Sequence, residues 1–343
     1  MKEKYGKKRD EQLDILKGIG IILVVFAHVC SGYASTLVFL FHMPLFFFLS
    51  GAAMSYSKSK RYDIRKKIRR IIIPYIVFSI LSFSYWAFFE SKFRPVHNEN
   101  LFMGIFGRMD IKLQQLLNIF FACSFNDAFL PNVVLWFLPC LFVSMVLYIS
   151  IQKKLGRYSL IGVSFFALIG FLLADKHMPW CIEIALVAVP FLYGGEMLYK
   201  SIKCNSIFWG VASLIISVIM IYIYNPRVDM RIHQYGEWWL FYSIALTLIF
   251  ATINFSQYVV GRNFYAAQWL GRNSLAIMCM HEPIKRIMLV VLSKCCGLEV
   301  STIRESIIMS IVITVSVVAI LIPIIMAINK YIPYIVGIDN YKK

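Results

Sequence analysis

The sequence predicts an all-α, polytopic transmembrane bundle of about ten helices, and three observations carry that expectation. Of 343 residues, 59% are hydrophobic and only 15% charged, with a mean hydropathy of +0.70, which is more apolar surface than one water-soluble core can hide. The apolar residues fall in continuous runs of about 20, the length that crosses a bilayer as a helix. Those runs lack the period-two alternation of a barrel strand, and a backbone in lipid must satisfy its own amides, so the helix is the remaining solution.

Taken in order, the runs are 13–33, 36–56, 71–90, 130–151, 158–174, 181–199, 205–224, 237–255, 270–293 and 304–328. An even number of crossings returns the C-terminus to the side of the N-terminus. The termini and connections on that side carry 23 of the 35 Lys and Arg, the opposite side carries 11 when Lys285 and Arg286 near a span end are counted with it, and Lys17 lies inside a run. The positive-inside rule then places both termini in the cytoplasm. Topology thereby accounts for the net charge of +17, and with no recognition motif present nucleic acid is excluded as a partner in favour of the lipid bilayer. Residues 1–343 read as a single membrane domain with no soluble C-terminal domain. No cleavable leader is expected, because the first run is too long for a signal-peptide core. The eight cysteines sit in or beside apolar runs without zinc-type spacing, so no metal site is expected.

Two connections are long. The outer segment 91–129 contains LFMGIFGRMDIKLQQLLNIFF, whose near-helical spacing predicts an amphipathic element lying on, or dipping into, the outer interface. The cytoplasmic segment 57–70 carries eight basic residues and one acidic. As a helix it sets Arg65 with Arg69 and Lys66 with Arg70 at i,i+4, where like charges repel unless they share an anion. Two readings follow: an anchor on anionic headgroups, or a site for a phosphorylated ligand held by guanidinium groups.

Within the first run stand Asp14, Lys17 and His28. Ionisable residues at membrane depth are expensive enough to mark functional sites by default. Lys17 and His28 are eleven residues apart, so they share a helix face at a separation of about 16 Å along the axis. An imidazole titrates near neutrality and suits transfer of a proton from a hydroxyl to a leaving group. The second run, FLFHMPLFFFLSG, carries His42 at a depth expected to match His28, together with Ser50 and Pro44, which is expected to free a backbone carbonyl inside the helix.

An ordered set of motifs extends this pattern: Arg9-Asp10 and Leu13-Asp14, Lys17 followed ten residues later by His28, FHMPLFFFLSG (41–51), RRIIIPY (69–75), LWFLPCLF (135–142) and LGRNSLAIMCMH (270–281). In this order and across most of the chain they resemble the integral-membrane acyltransferase 3 family. Lys17 stands where Arg is commoner in that family, and Met278 and Cys279 stand where an aromatic is more usual. Residues 225–236, NPRVDMRIHQYG, are similar to a segment of the fucose 4-O-acetylase-like subgroup.

The resemblance implies O-acylation, usually acetylation, of a cell-envelope sugar or polysaccharide precursor at the plasma membrane. Acetyl-CoA or another acyl-CoA would be the donor substrate, with no tightly bound cofactor. His28 is then a general base or an acyl carrier, Lys17 positions the donor, and Asp14 orients Lys17 from i,i+3. Arg65, Lys66, Arg69 and Arg70 would take the CoA phosphates, and His42, Ser50, Trp136, Asn273, Ser274 and His281 would line the cavity. The competing class is a transporter or flippase of a glycan or anion, suited by Pro44, Pro139, Pro190 and Pro283 but unsupported by any internal repeat.

Overall fold

In the computed structural model, residues 10–56, 63–89, 91, 111–122, 131–202, 207–258, 260 and 264–338 are described. Their regular structure is helical, with one isolated β-bridge between Asp229 and Gln234. In chain order the helices are α1 (Glu11–Val29), α2 (Tyr33–Phe39), α3 (His42–Ser55), α4 (Ile64–Lys67), α5 (Ile73–Phe88), α6 (Ile111–Phe121), α7 (Phe137–Leu155) and α8 (Ser159–Leu172). The second half adds α9 (Ile182–Leu198), α10 (Ile207–Tyr224), α11 (Trp238–Gln257), α12 (Tyr265–Arg272), α13 (Ser274–Cys296), α14 (Val300–Glu305) and α15 (Ile307–Tyr331).

Eight stretches among the described residues are long and apolar enough to cross a membrane. One of them, Val133–Leu172, is 40 residues, about 60 Å as a helix and twice a bilayer. It divides into α7 and α8 at Gly156, whose φ of 48° stops the first helix. Helix α13 is 23 residues long but is not among these eight, because Glu282, Lys285 and Arg286 interrupt its apolar run. Eight candidate spans among the described residues are fewer than the ten runs expected, because the fifth run belongs to the 40-residue stretch and the ninth is interrupted by charge. Helices α1, α3, α7 and α9 form the core through Leu16, Val25, Phe47, Leu49, Tyr148 and Phe191, all nearly fully buried, whereas α10 and α15 present mostly apolar side chains outward, as lipid-facing helices do.

Two of the predicted spans are broken, and the breaks matter. The second run is α2 followed by α3, with the interruption at Leu40 and Phe41. Pro44, expected to free a carbonyl inside one continuous helix, instead occupies the first turn of α3. Its ring would collide with the carbonyl four residues back, so the chain restarts at His42, where a missing amide costs no hydrogen bond. The ninth run is likewise split at Asn273 into α12 and α13, and the LGRNSLAIMCMH motif spans the joint.

Close packing fixes where these broken segments sit. A Cβ added to Gly271 would lie 1.7 Å from the Asp14 carbonyl oxygen, and one on Gly18 would lie 2.1 Å from that of Ala267, so α1 and α12 touch backbone to backbone. Gly51 and Gly195 do the same for α3 and α9. Small residues permit this approach where lipid supplies no hydrophobic drive between helices. Gly271→Val is expected to cost at least about 1–3 kcal/mol of overpacking and to displace Arg272 from Asp14. A lowered unfolding temperature of the detergent-solubilised protein checks this.

Of the outer connection, 92–110 and 123–130 lie outside the described residues, as do 2–9, 57–62 and 339–343 of the basic segments. The part that is described, α6, dips into the bundle: Asn118, Ile119 and Ala122 are buried, Tyr75 donates to the Ile119 carbonyl at 2.6 Å, and Trp180 Nε1 donates to that of Phe120 at 3.0 Å. Its opposite face exposes Leu113 and Phe120.

Candidate active site

Helix α1 begins beside α12 and ends beside α13, and two cavities follow its length. The larger, about 860 Å³, opens at the face where α1 starts and lies within the size range of ligand pockets. Asp14, Lys17, Ser50, Arg70, Arg272 and Asn273 contribute its polar lining, with Ser274 and Asn329 beside them. The smaller, about 140 Å³, lies further along α1 and is bounded by His28, Phe39, His42, Trp136, Asp229, Met230 and Arg231. Met278 lines both, so its side chain stands between vestibule and chamber.

Lys17 and His28 therefore border two adjoining spaces rather than one. At the vestibule, Asp14 accepts from Arg272 Nε at 3.1 Å, a partner the sequence reading had not identified. Of the four basic residues singled out near the second connection, only Arg70 lines the vestibule. Lys66 lies exposed, 4.0 Å from Asp63, and Arg65 and Arg69 are exposed nearby. The expected continuous helix is not present there: α4 passes into a π-helical turn, Ile68–Ile72, which changes the face each side chain occupies.

Two imidazoles, His28 and His42, line the chamber, and His281, expected to line it too, is fully buried behind His28. The His28 ring lies 5.4 Å from that of His281 and 5.9 Å from Phe39, while Phe39 contacts His42 at 4.9 Å. His42 is held by the preceding helix, Nδ1 against the Val38 carbonyl of α2 at 2.8 Å, and His281 by its own helix, Nδ1 against the Ile277 carbonyl at 3.0 Å. Both are thereby locked in orientation. The His28 ring makes no hydrogen bond among the described residues and is partly accessible from the chamber. The geometry leaves His28 as the imidazole open to a bound molecule.

What fixes His28 is a buried ion network that the sequence reading overlooked. Glu282 binds Lys285 at 2.7 Å and Arg286 at 2.9 Å, with side chains 4%, 9% and 18% exposed respectively. Lys285 Nζ also donates to the His28 carbonyl at 3.3 Å, and Arg304 Nε to that of Val29 at 3.0 Å. Cations thus cap the end of α1, satisfying carbonyls that have no intrahelical partner and complementing the helix dipole. The overlooked signal is the spacing in HEPIKR: three charges at i, i+3 and i+4 within an apolar run.

The chamber's far wall comes from the connection between α10 and α11. Asp229 and Gln234 pair through both backbone amides, at 2.8 and 3.0 Å, and Val228, Met230 and Tyr235 are buried, so this turn plugs the bundle. Burial pushes the Asp229 carboxyl up despite Arg231 alongside, and burial next to His177 lowers His233 to about 4.

Two adjoining cavities, one flanked by Lys17, Arg70 and Arg272 and the other bounded by His28, make up the candidate site, and one comparison decides the class: the acyltransferase domain family matches residues 10–330. The chain belongs to the acyltransferase 3 family. No curated protein and no solved structure matches it. This membrane acyltransferase carries the motifs noted in the sequence around the two cavities: Asp14, Lys17, Ser50, Asn273 and Ser274 at the vestibule, His28, His42 and Trp136 at the chamber, and His281 behind His28.

Proposed function

We propose that this acyltransferase moves an acetyl group from acetyl-CoA to a hydroxyl of a cell-envelope sugar or polysaccharide precursor. The observation that carries the proposal is the sequence of spaces along α1: a basic vestibule of about 860 Å³, then Met278, then a chamber of about 140 Å³ at His28. In this reading the face where α1 begins is cytoplasmic, and Lys17, Arg70 and Arg272 receive the CoA phosphates through charge-assisted hydrogen bonds. The pantetheine arm runs inward past Met278 and delivers the thioester carbonyl to His28.

His28 takes the proton from the acceptor hydroxyl as the oxygen attacks the thioester carbon. The carbon–sulfur bond then breaks, the acyl–oxygen bond remains, and the proton passes to the departing thiolate as free CoA leaves. Held between His28 and His42 and away from bulk water, the thioester is shielded from hydrolysis. Arg231 and Asp229, on the opposite wall, are placed to hold the acceptor's hydroxyls. In this reading the acceptor arrives from the outer side.

The limited chamber volume argues for a short acyl chain. Met278→Ala, by opening the partition, is expected to raise transfer from butyryl-CoA relative to acetyl-CoA by about tenfold, a change of roughly 1.4 kcal/mol from added apolar space. Met278→Trp is expected to suppress both. Competition between the two donors in membranes bearing each variant provides the check. The function itself is tested by supplying radiolabelled acetyl-CoA to membranes with and without the protein and counting label in isolated envelope glycans. Label in glycan dependent on the protein supports the proposal, and matched expression without label in any envelope acceptor refutes it.

A further inference from the structure

The α10–α11 turn that walls the chamber also carries His233, which meets His177 from the turn after α8 and Glu183 from the first turn of α9. One ligand atom from each lies within 4.8 Å of the other two. His233 Nε2 is 3.3 Å from a Glu183 carboxylate oxygen, with side chains 5% and 0% exposed, and the two imidazole rings are 4.9 Å apart. From this convergence we propose that His177, Glu183 and His233 form a binding site for a divalent transition-metal ion of the zinc class, which ties the chamber-lining turn to α8 and α9.

Three independent features support it. Zinc bonded to nitrogen and oxygen at about 2.0–2.2 Å places its tetrahedral ligands about 3.3 Å apart. The His233–Glu183 pair already has that spacing, and a small rotation of the partly exposed His177 ring completes the set. Secondly, the fully buried Glu183 carboxylate interacts with the backbone amides of Met178 and Glu183 and the His233 imidazole, yet neither oxygen makes a well-aligned hydrogen bond among the described residues. A buried carboxylate in that condition is costly, and a dication offsets the cost directly. Thirdly, two imidazoles and one carboxylate favour zinc, nickel or copper over magnesium or calcium, which take all-oxygen shells.

Three protein ligands leave a fourth position for water on the side of His177. The consequence for the enzyme is mechanical. His233 lies two residues beyond Arg231 on the turn closed by the Asp229–Gln234 bridge, so an ion held there fixes the wall that Asp229, Met230 and Arg231 present to His28. The proposal does not depend on the identity of the transferred group.

The test uses full-length protein purified in detergent without metal-affinity chromatography. Elemental analysis is expected to find close to one zinc per chain. After stripping with EDTA, adding Zn²⁺ alone should raise the unfolding temperature in a saturable, EDTA-reversible manner, with a larger rise than Mg²⁺ produces. His177→Ala, at a partly exposed position, and Glu183→Gln, which keeps the side-chain shape and removes the buried charge, should both fold and both lose the retained zinc and the zinc-dependent rise. Absence of saturable zinc binding to the wild type would overturn the site, as would a zinc-dependent rise in both variants equal to that of the wild type.

Discussion

Replacing His28 with glutamine is expected to lower the turnover number for acyl transfer by about 10²–10⁴-fold, the range that a positioned general base contributes. The KM for acetyl-CoA should change by no more than a few-fold, because the groups assigned to the CoA phosphates, Lys17, Arg70 and Arg272, line the separate vestibule. Stability should barely move. The His28 ring makes no hydrogen bond among the described residues, and the interaction that anchors this residue is made by its backbone carbonyl with Lys285 at 3.3 Å, which glutamine preserves. Loss of turnover with intact donor binding and an unchanged unfolding temperature separates a chemical role from a packing one. The neighbours give the contrast: His42→Gln and His281→Gln remove imidazoles that bond backbone carbonyls, of α2 at 2.8 Å and of α13 at 3.0 Å, so their effect should be smaller on turnover and larger on stability.

Glu282→Leu should have the largest effect on stability of any single change in the chamber. Glu282 is the shared partner of Lys285 and Arg286, and removing it leaves a cation with a side chain only 9% exposed uncompensated. Breaking a buried pair from one side costs about 3–5 kcal/mol. The double variant Glu282→Leu/Lys285→Leu should recover most of that loss, since well-packed apolar residues replace a buried ion pair at little net cost. It should not recover activity. Without the Lys285 ammonium, the His28 carbonyl loses its donor from α13 and the end of α1 is held less firmly. Thermal unfolding of wild type, single and double variants, read beside transfer rates, distinguishes the stability role of Glu282 from the positioning role of Lys285.

Much of this fold is legible in the sequence because a bilayer imposes a simple rule: an apolar run of about 20 residues crosses, and little else does. The breaks at Leu40–Phe41 and Asn273 were less legible. Pro44 announces an interruption, but whether it kinks a helix or starts one depends on what packs behind it, and the polar Gly271-Arg272-Asn273-Ser274 at the start of the ninth run reads as a span boundary when it is a joint between α12 and α13. Lys17 and His28 stood out as charge-bearing groups on one face of a short segment. The convergence of His281 on His28 spans the whole chain and has no local signal, and the same is true of the contact between Arg272 and Asp14. The Glu282–Lys285–Arg286 network was legible in principle. Its basic members were counted as topological charge at the end of a span, whereas their i,i+3 and i,i+4 spacing from an acid in an apolar helix marks an intramembrane ion network.

The measurement that reaches the central claim most directly pairs binding with transfer. Purified wild type, His28→Gln and a Lys17→Ala/Arg272→Ala variant are each titrated with labelled acetyl-CoA and then given envelope glycan acceptor in a single turnover. If the vestibule holds the donor and the chamber performs the chemistry, His28→Gln binds acetyl-CoA within a few-fold of wild type and passes no measurable label to glycan. The vestibule variant instead binds weakly yet transfers whatever it has bound. Label reaching glycan at the wild-type rate from His28→Gln, or donor binding abolished by that change and untouched by the loss of Lys17 and Arg272, would contradict the division of labour between the two cavities.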